Sequence, residues 1–166
     1  MSLAPRQLVY VDTMIVLEAA RTNCLAAILN HFDFHTADVV LKEILDGDFR
    51  KRDFVRIDAS SIRKITAHEV PPTMLASARL KVPRMATLHK GEEALLAYLA
   101  AANPSGILLS SADRAAVQVA CLLGFQHRLR ALEEIAGKAG MNPQIRDWFK
   151  KRWLGEVITK HLMDHL

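Results

Sequence analysis

The stretch RQLVYVDTMIVLEAAR, residues 6–21, decides the fold, because it joins a buried strand to a helix through an aspartate. Residues 8–11 are consecutive apolar residues with branched or aromatic side chains, which is typical of a buried β-strand. Asp12 follows at once, and the apolar run after it carries Glu18. One interpretation of Asp12 is a helix cap that accepts main-chain N–H groups. The other is a site at the strand end, which requires further carboxylates near it.

The same alternation of strand and helix continues along the chain and predicts an α/β fold. Strand-like apolar runs occur at 8–11, around Phe34, at 107–109 and near 125–129. Helical apolar spacing predicts helices at 15–21, 25–32, 38–45, 91–102, 113–123 and 132–139. This order favours a three-layer sandwich, with a central parallel sheet of about four to five strands flanked by helices.

The 166 residues contain no internal repeat, low-complexity tract or linker, which predicts a single domain over 1–166. Within it we distinguish a section at 49–90, which prolines break into short helices or turns, and a C-terminal helical extension at 142–166. Trp148 and Trp153 of that extension are predicted to pack against helices or a second subunit rather than to stack on bases.

Composition narrows the class of protein. The chain is 51% apolar and 24% charged, has no apolar run long enough to cross a membrane, and shows no signal-peptide pattern. Cys24 and Cys121 lie in apolar helical stretches without CxxC or Cys/His spacing, so we expect buried thiols in a reducing, cytoplasmic compartment. A phosphate-binding glycine loop, a nucleophile elbow and HExxH are all missing from the sequence.

Positive charge is concentrated in the middle of the chain. Residues 49–90 contain ten basic and three acidic residues, a net charge of +7, so the rest carries −3 of the total of +4. A run of this kind is ordinarily a solvated helical surface. Next to a phosphate-directed site it would favour a polyanionic partner.

Four acids are placed to meet at the carboxyl ends of the strands, where ligands bind open α/β sheets. They are Asp12, Glu43, Glu92 and Asp113. Each has a structural alternative: Asp113 as a helix N-cap, Glu92 as partner of a helix dipole, and Glu43 as an ordinary helix-edge residue. Two carboxylates about 4 Å apart repel by roughly 4 kcal/mol at an effective dielectric near 20, so a cluster should bind protons or a cation. Oxygen-only ligands suit Mg²⁺ or Mn²⁺.

The segments VDTMIVLEA, VVLKEIL, KGEEALLAYLA and ILLSSADRAA, in this order and spacing, resemble the motif blocks of PIN domains, the nuclease fold that includes VapC-type toxins. The family pattern has an Asp after the first strand, a Glu in an early helix, a Gly-Glu helix start and a Ser/Thr-x-Asp after a later strand. The resemblance covers roughly residues 8–140. The sequence departs from the family pattern at Ser111-Ala112-Asp113, where many members have consecutive acids. The loss of one acidic ligand there would weaken a second metal position.

The resemblance implies a PIN-like, metal-dependent endoribonuclease that hydrolyses RNA phosphodiesters. It implies that Asp12, Glu43, Glu92 and Asp113 hold Mg²⁺ or Mn²⁺ and that Ser111 orients a carboxylate. Lys90 and Arg114, adjacent to two of the acids, are candidate phosphate contacts. It also implies a homodimer and, for a toxin, an antitoxin protein. The alternatives are a PIN-like module that binds RNA or protein with weak or no nuclease activity, and a domain whose acids only cap helices.

Overall fold

The computed structural model describes residues 3–47 and 55–166. In these residues one parallel sheet contains the four strands β1 (Leu8–Val11), β2 (Asp33–Ala37), β3 (Thr66–His68) and β4 (Leu108–Ser110). Their order across the sheet is β3-β2-β1-β4. Helices flank the sheet, which confirms the predicted α/β three-layer sandwich and its number of strands.

Each of the six predicted helices is present, with ends within two residues of the prediction. The helices described are α1 (Thr13–Arg21), α2 (Leu25–His31), α3 (Asp38–Leu45), α4 (Ala59–Arg63), α5 (Pro72–Lys81), α6 (Lys90–Ala102), α7 (Arg114–Leu122), α8 (Leu132–Lys138) and α9 (Lys151–Asp164). Short 3-10 helices lie at Pro83–Thr87, Gln126–Arg128 and Asp147–Phe149. Pro72 begins α5 rather than breaking it, because the fixed φ of proline suits the first helical position.

Strand β1 lies in the interior of the sheet between β2 and β4. Val9 and Val11 have no exposed surface and Tyr10 is only 3% exposed, so both faces of the strand are covered. A strand buried on both faces requires an unbroken apolar run, which explains the composition of residues 8–11. Both the chain leaving β1 and the chain leaving β4 enter helices at the same end of the sheet.

The edge strand β3 was missed by the sequence analysis. Thr66 and Ala67 are exposed, so the strand has no apolar pattern to reveal it. Parallel main-chain pairing with β2 holds β3 in the sheet. Ring contacts add to it: the His68 ring stacks on Tyr98 of α6 with centroids 4.4 Å apart, and its Nε2 lies 2.7 Å from Nδ1 of His35 on β2. The described part of section 49–90 therefore completes the sheet. Arg50, Lys51 and Arg52 lie outside the described residues.

The strand predicted near 125–129 is wrong. Residues Gln126–Arg128 form a 3-10 helix, and only Leu129 makes a β-bridge, to Leu109 of β4. The apolar residues that suggested a strand are buried, Phe125 to 6% and Leu129 to 3% exposure. These residues cover the outer edge of β4. Their burial there, rather than membership of a strand, explains why they are apolar.

The C-terminal extension belongs to the main hydrophobic core. Helix α9 packs against α7 and α8, and its Leu154 and Val157 are buried in the cluster that begins at Val9. Trp153 is partly buried against this core, as predicted, whereas Trp148 is 40% exposed. Cys24 and Cys121 are buried free thiols. Within residues 3–47 and 55–166, no helix combines the length and the apolar character needed to cross a membrane.

Candidate active site

The register of the sheet brings Asp12 and Asp113 to one end of neighbouring strands. Val11 of β1 is paired with Ser110 of β4, so Asp12 and Ser111 are the next residues on the two strands. Asp113 follows two residues later and precedes α7. The two aspartates are 101 positions apart in sequence, yet the parallel pairing of β1 and β4 places both at the carboxyl edge.

The two oxygens of the Asp12 carboxylate have different environments. Oδ1 caps α1 by accepting a hydrogen bond of 3.1 Å from the main-chain N–H of Ile15. Oδ2 is buried and has no hydrogen-bond partner among the described residues. Burial raises the pKa of Asp12 to about 6, the charge of Asp113 adds to the rise, and the neighbouring Ser111 side chain opposes it. Capping therefore satisfies one oxygen and leaves the other as an unpartnered acceptor in the interior.

Asp113 repeats the capping arrangement on β4. Its Oδ1 accepts 2.9 Å from the main-chain N–H of Ala116, and its own main-chain N–H donates 3.2 Å to Oγ of Ser111. Ser111 is buried, accepts the hydrogen bond from the Asp113 main chain, and lowers the pKa of Asp12 through side-chain hydrogen bonding. The predicted orienting residue therefore interacts with both aspartates.

Glu92 is the third residue of α6 and is 8% exposed. Burial raises the pKa of its carboxyl to about 7, and the charges of Asp113, Asp12 and Glu43 add to the rise. Hydrogen bonding to the His89 main chain lowers the same pKa. Its Oε2 is buried without a hydrogen-bond partner among residues 3–47 and 55–166. Glu92 is thus a second buried carboxylate with an unpartnered oxygen.

Glu43 is brought to the site by two residues to which the sequence analysis gave no role. Thr13, the first residue of α1, donates a 2.6 Å hydrogen bond from Oγ1 to Oε2 of Glu43. Gly91 lies against the same oxygen: a Cβ at position 91 would be 2.7 Å from it and 3.1 Å from Cγ2 of Val40. The absence of a side chain at Gly91 lets α6 approach α3 with the Glu43 carboxylate between them.

A cavity of about 280 Å³ lies at this end of the sheet. Its described lining consists of Asp12, Thr13, Met14, Glu43, His89 and Glu92. Asp113 is not among these lining residues, but its charge raises the pKa of both Asp12 and Glu92. The four predicted acids therefore interact electrostatically at one place. In the described residues, no three His, Cys, Asp or Glu side chains are arranged as a formed metal-binding group.

The two predicted phosphate contacts lie at the starts of helices beside the acids. Lys90 is the first residue of α6 and Arg114 the first of α7, and both are exposed. Neither belongs to the described lining of the cavity. Their positions next to Glu92 and Asp113 follow from the sequence alone, so their role stays a prediction.

The donor set fits a hard divalent cation. Every acid at the site offers carboxylate oxygen, and Asp12 and Glu92 each have one oxygen that lacks a partner among the described residues. Burial is the main cause of their raised pKa values, and the neighbouring carboxylates raise them further, so both acids would bind a proton or a cation more readily than exposed carboxylates. Oxygen donors of this kind favour Mg²⁺ or Mn²⁺ over softer metals.

The sequence matches no protein-family model and no curated protein. The resemblance to PIN domains therefore depends on the four motif blocks of the sequence alone.

Proposed function

We propose that this protein is a PIN-like endoribonuclease that depends on Mg²⁺ or Mn²⁺ and hydrolyses RNA phosphodiesters. The observation that carries the proposal is a pair of carboxylate oxygens, Oδ2 of Asp12 and Oε2 of Glu92, that belong to residues lining one cavity and have no hydrogen-bond partner in the part of the chain that the structure describes. A buried charge without a partner costs several kcal/mol of stability. A bound cation would offset this cost for both carboxylates.

In this proposal Asp12, Glu43, Glu92 and Asp113 hold the ion. The bound ion would supply a Lewis acid that favours deprotonation of water and neutralises charge on the phosphoryl oxygens. The chain's own contribution is to position the carboxylates. The helix caps at Asp12 and Asp113 orient their carboxylates, and the Thr13 hydroxyl holds Glu43.

RNA is the proposed substrate because the chain has a sequence pI of 9.3 and a +7 section at 49–90. Lys90 and Arg114, at the starts of two helices beside the acids, would contact the scissile phosphate. If the protein is the toxin of a toxin–antitoxin pair, an antitoxin protein would block this cavity. We further propose a homodimer in the cytoplasm.

Cleavage of a labelled single-stranded RNA with Mg²⁺ or Mn²⁺ tests the proposal. Asp12→Asn and Asp113→Asn should each reduce the rate by about 100-fold or more, because they remove a charged ligand while asparagine keeps the helix cap. The matched control is Asp58→Asn, since Asp58 also caps a helix, through a 2.9 Å bond from Ser61, outside the proposed site. Equal cleavage by the wild type and all three variants would contradict the assignment.

A second candidate is an RNA- or protein-binding module without nuclease activity. The caps favour it, because Asp12 and Asp113 each have a structural task that needs no metal. Calorimetric titration with Mn²⁺ separates the two functions. Metal binding that Asp12→Asn abolishes supports the nuclease, whereas RNA affinity in a protein that binds no Mn²⁺ supports the module.

A further inference from the structure

His89 lines the acidic cavity together with the carboxylates and comes directly before α6. Its main chain is held on both sides. The carbonyl oxygen accepts a 2.9 Å hydrogen bond from the main-chain N–H of Glu93, and the main-chain N–H of His89 bonds to the Glu92 carboxyl. The backbone that carries the imidazole is therefore fixed relative to one of the proposed metal ligands.

The imidazole of His89 is available to a ligand. The residue is exposed, and its side chain has no hydrogen-bond, ion-pair or ring partner within residues 3–47 and 55–166. An exposed histidine without a partner is ordinarily only solvated. His89 differs because it lines the same cavity as Asp12 and Glu92, whose buried oxygens Oδ2 and Oε2 also lack a partner in those residues.

The described lining of the cavity offers many acceptors and few donors. Ionised carboxylates only accept hydrogen bonds, and the Met14 side chain has no donor. The Thr13 hydroxyl is engaged, since it donates to Glu43. Among the described lining residues, His89 is therefore the one whose side-chain N–H is available. Imidazole has such a donor in either neutral tautomer, so the donor does not depend on the protonation of His89.

A phosphate bound to an ion in this cavity would need a donor of this kind. The ion contacts some of the phosphate oxygens, and the others would otherwise face carboxylates that repel them. The two cations predicted to contact phosphate, Lys90 and Arg114, lie outside the described lining, whereas His89 belongs to it. The chemistry of the cavity thus favours His89 for a direct contact with the phosphate.

We infer that His89 is a substrate-contacting residue whose imidazole N–H donates a hydrogen bond to a non-bridging oxygen of the phosphate bound in the acidic cavity. This inference rests on the proposed function for the identity of the ion and of the substrate class. It adds one nitrogen donor to a site otherwise made of carboxylates. His89 orients the phosphate, and the acids hold the ion.

The test is the affinity of the Mg²⁺-loaded protein for inorganic phosphate, measured by calorimetry, because this probe cannot be cleaved. His89→Leu should weaken phosphate binding about 10-fold, since a hydrogen bond to a charged oxygen is lost. His89→Gln has a similar size and keeps an N–H donor, so its affinity should stay within about 3-fold of the wild type. The control is His127→Leu, an exposed histidine outside the described lining, which should bind phosphate like the wild type.

Two further measurements separate a phosphate contact from other roles of His89. Mg²⁺ affinity without phosphate should be unchanged in His89→Leu, because Mg²⁺ prefers oxygen ligands. The melting temperature should also be unchanged, because the side chain is exposed and the main-chain bonds remain. Weaker Mg²⁺ binding by His89→Leu would overturn the inference and make His89 a metal ligand.

An RNA cleavage assay of the same proteins separates this inference from the proposed nuclease. Cleavage by the wild type, together with equal phosphate affinity of His89→Leu and His127→Leu, would overturn the role of His89 alone. Weaker phosphate binding by His89→Leu in a protein that never cleaves RNA would support the contact and refute the nuclease. A wild type that binds Mg²⁺ but no phosphate would overturn the inference.

Discussion

The two oxygens of the Asp12 carboxylate differ in what they can do: one caps a helix, and the other is open to a ligand. Its Oδ1 caps α1, and its Oδ2 faces the interior without a partner among the described residues. The two interpretations of Asp12 offered by the sequence are therefore compatible, since each uses a different oxygen. The same holds for Glu92, which bonds to the His89 main chain while its Oε2 has no partner in residues 3–47 and 55–166.

At pH 8 without metal, Asp12→Asn and Glu92→Gln should each stabilise the protein. The folded-state pKa values of about 6 and about 7 lie above the ordinary values of 3.8 and 4.5, so the folded protein binds protons more tightly than the unfolded chain. Stability from these groups is present at acidic pH and is lost as pH rises through the folded values. We expect a gain of about 1–3 kcal/mol in the free energy of unfolding at pH 8 and little gain at pH 4.

Urea unfolding in EDTA at the two pH values measures this effect. Added Mg²⁺ should stabilise the wild type at pH 8 and leave the two variants nearly unchanged, because a ligand that binds only the folded state shifts the equilibrium toward it. Variants that are less stable than the wild type at both pH values would show that the carboxylates are structural.

At the scale of elements, the site depends on how closely α6 approaches α3. Gly91 has no side chain where a Cβ would crowd both Glu43 and Val40. The Gly-Glu helix start, noted in the sequence only as part of a resemblance, thus has a physical reason: the glycine makes room for one acid while the next residue supplies another. The hydrogen bond from Thr13 fixes the same acid from α1.

Gly91→Ala should weaken Mn²⁺ binding about 10-fold or more while changing the free energy of unfolding by less than about 1 kcal/mol. The new methyl group displaces the Glu43 carboxylate, and the higher helix propensity of alanine offsets the crowding of Val40. Calorimetric titration and urea unfolding measure the two effects. Gly137→Ala in α8 is the control, because no atom lies within 4 Å of its Cβ; it should stabilise the helix and leave Mn²⁺ affinity unchanged. Unchanged affinity in Gly91→Ala would show that Gly91 is not needed to position Glu43.

At the scale of the whole molecule, the C-terminal helix completes the core. Helix α9 covers α7 and α8, and Leu154 is 4% exposed. The segment called an extension in the sequence analysis therefore packs into the same hydrophobic cluster as β1. Because Asp113 caps α7, the packing of α9 also supports the helix that follows one of the acids.

Leu154→Ala should lower the free energy of unfolding by about 2–4 kcal/mol, the cost of a cavity in a buried core. The matched control is Leu162→Ala in the same helix, where the side chain is 45% exposed, and its cost should be below about 1 kcal/mol. Equal effects of the two substitutions would mean that α9 is only loosely attached.

Several features of the fold were predictable because they depend on neighbours in sequence. The run at 8–11, the caps at Asp12 and Asp113 and the amphipathic helices are local patterns, and the structure has them at the predicted places. The two errors, β3 and residues 125–129, are short segments whose type depends on contact with distant parts of the chain. Segments of three to five residues carry too little periodicity to outweigh such contacts.

The sequence by itself determined the strand–aspartate–helix units and the order in which they occur, because capping and hydrophobic periodicity act over a few residues. Only the tertiary structure decided that β1 and β4 are neighbours, and hence that Asp12 and Asp113 share one end of the sheet. It also decided which carboxylate oxygens are buried without a partner among the described residues, and how Thr13 and Gly91 place Glu43. Burial and pairing of charges depend on residues that packing brings together from across the chain, so no local pattern encodes them.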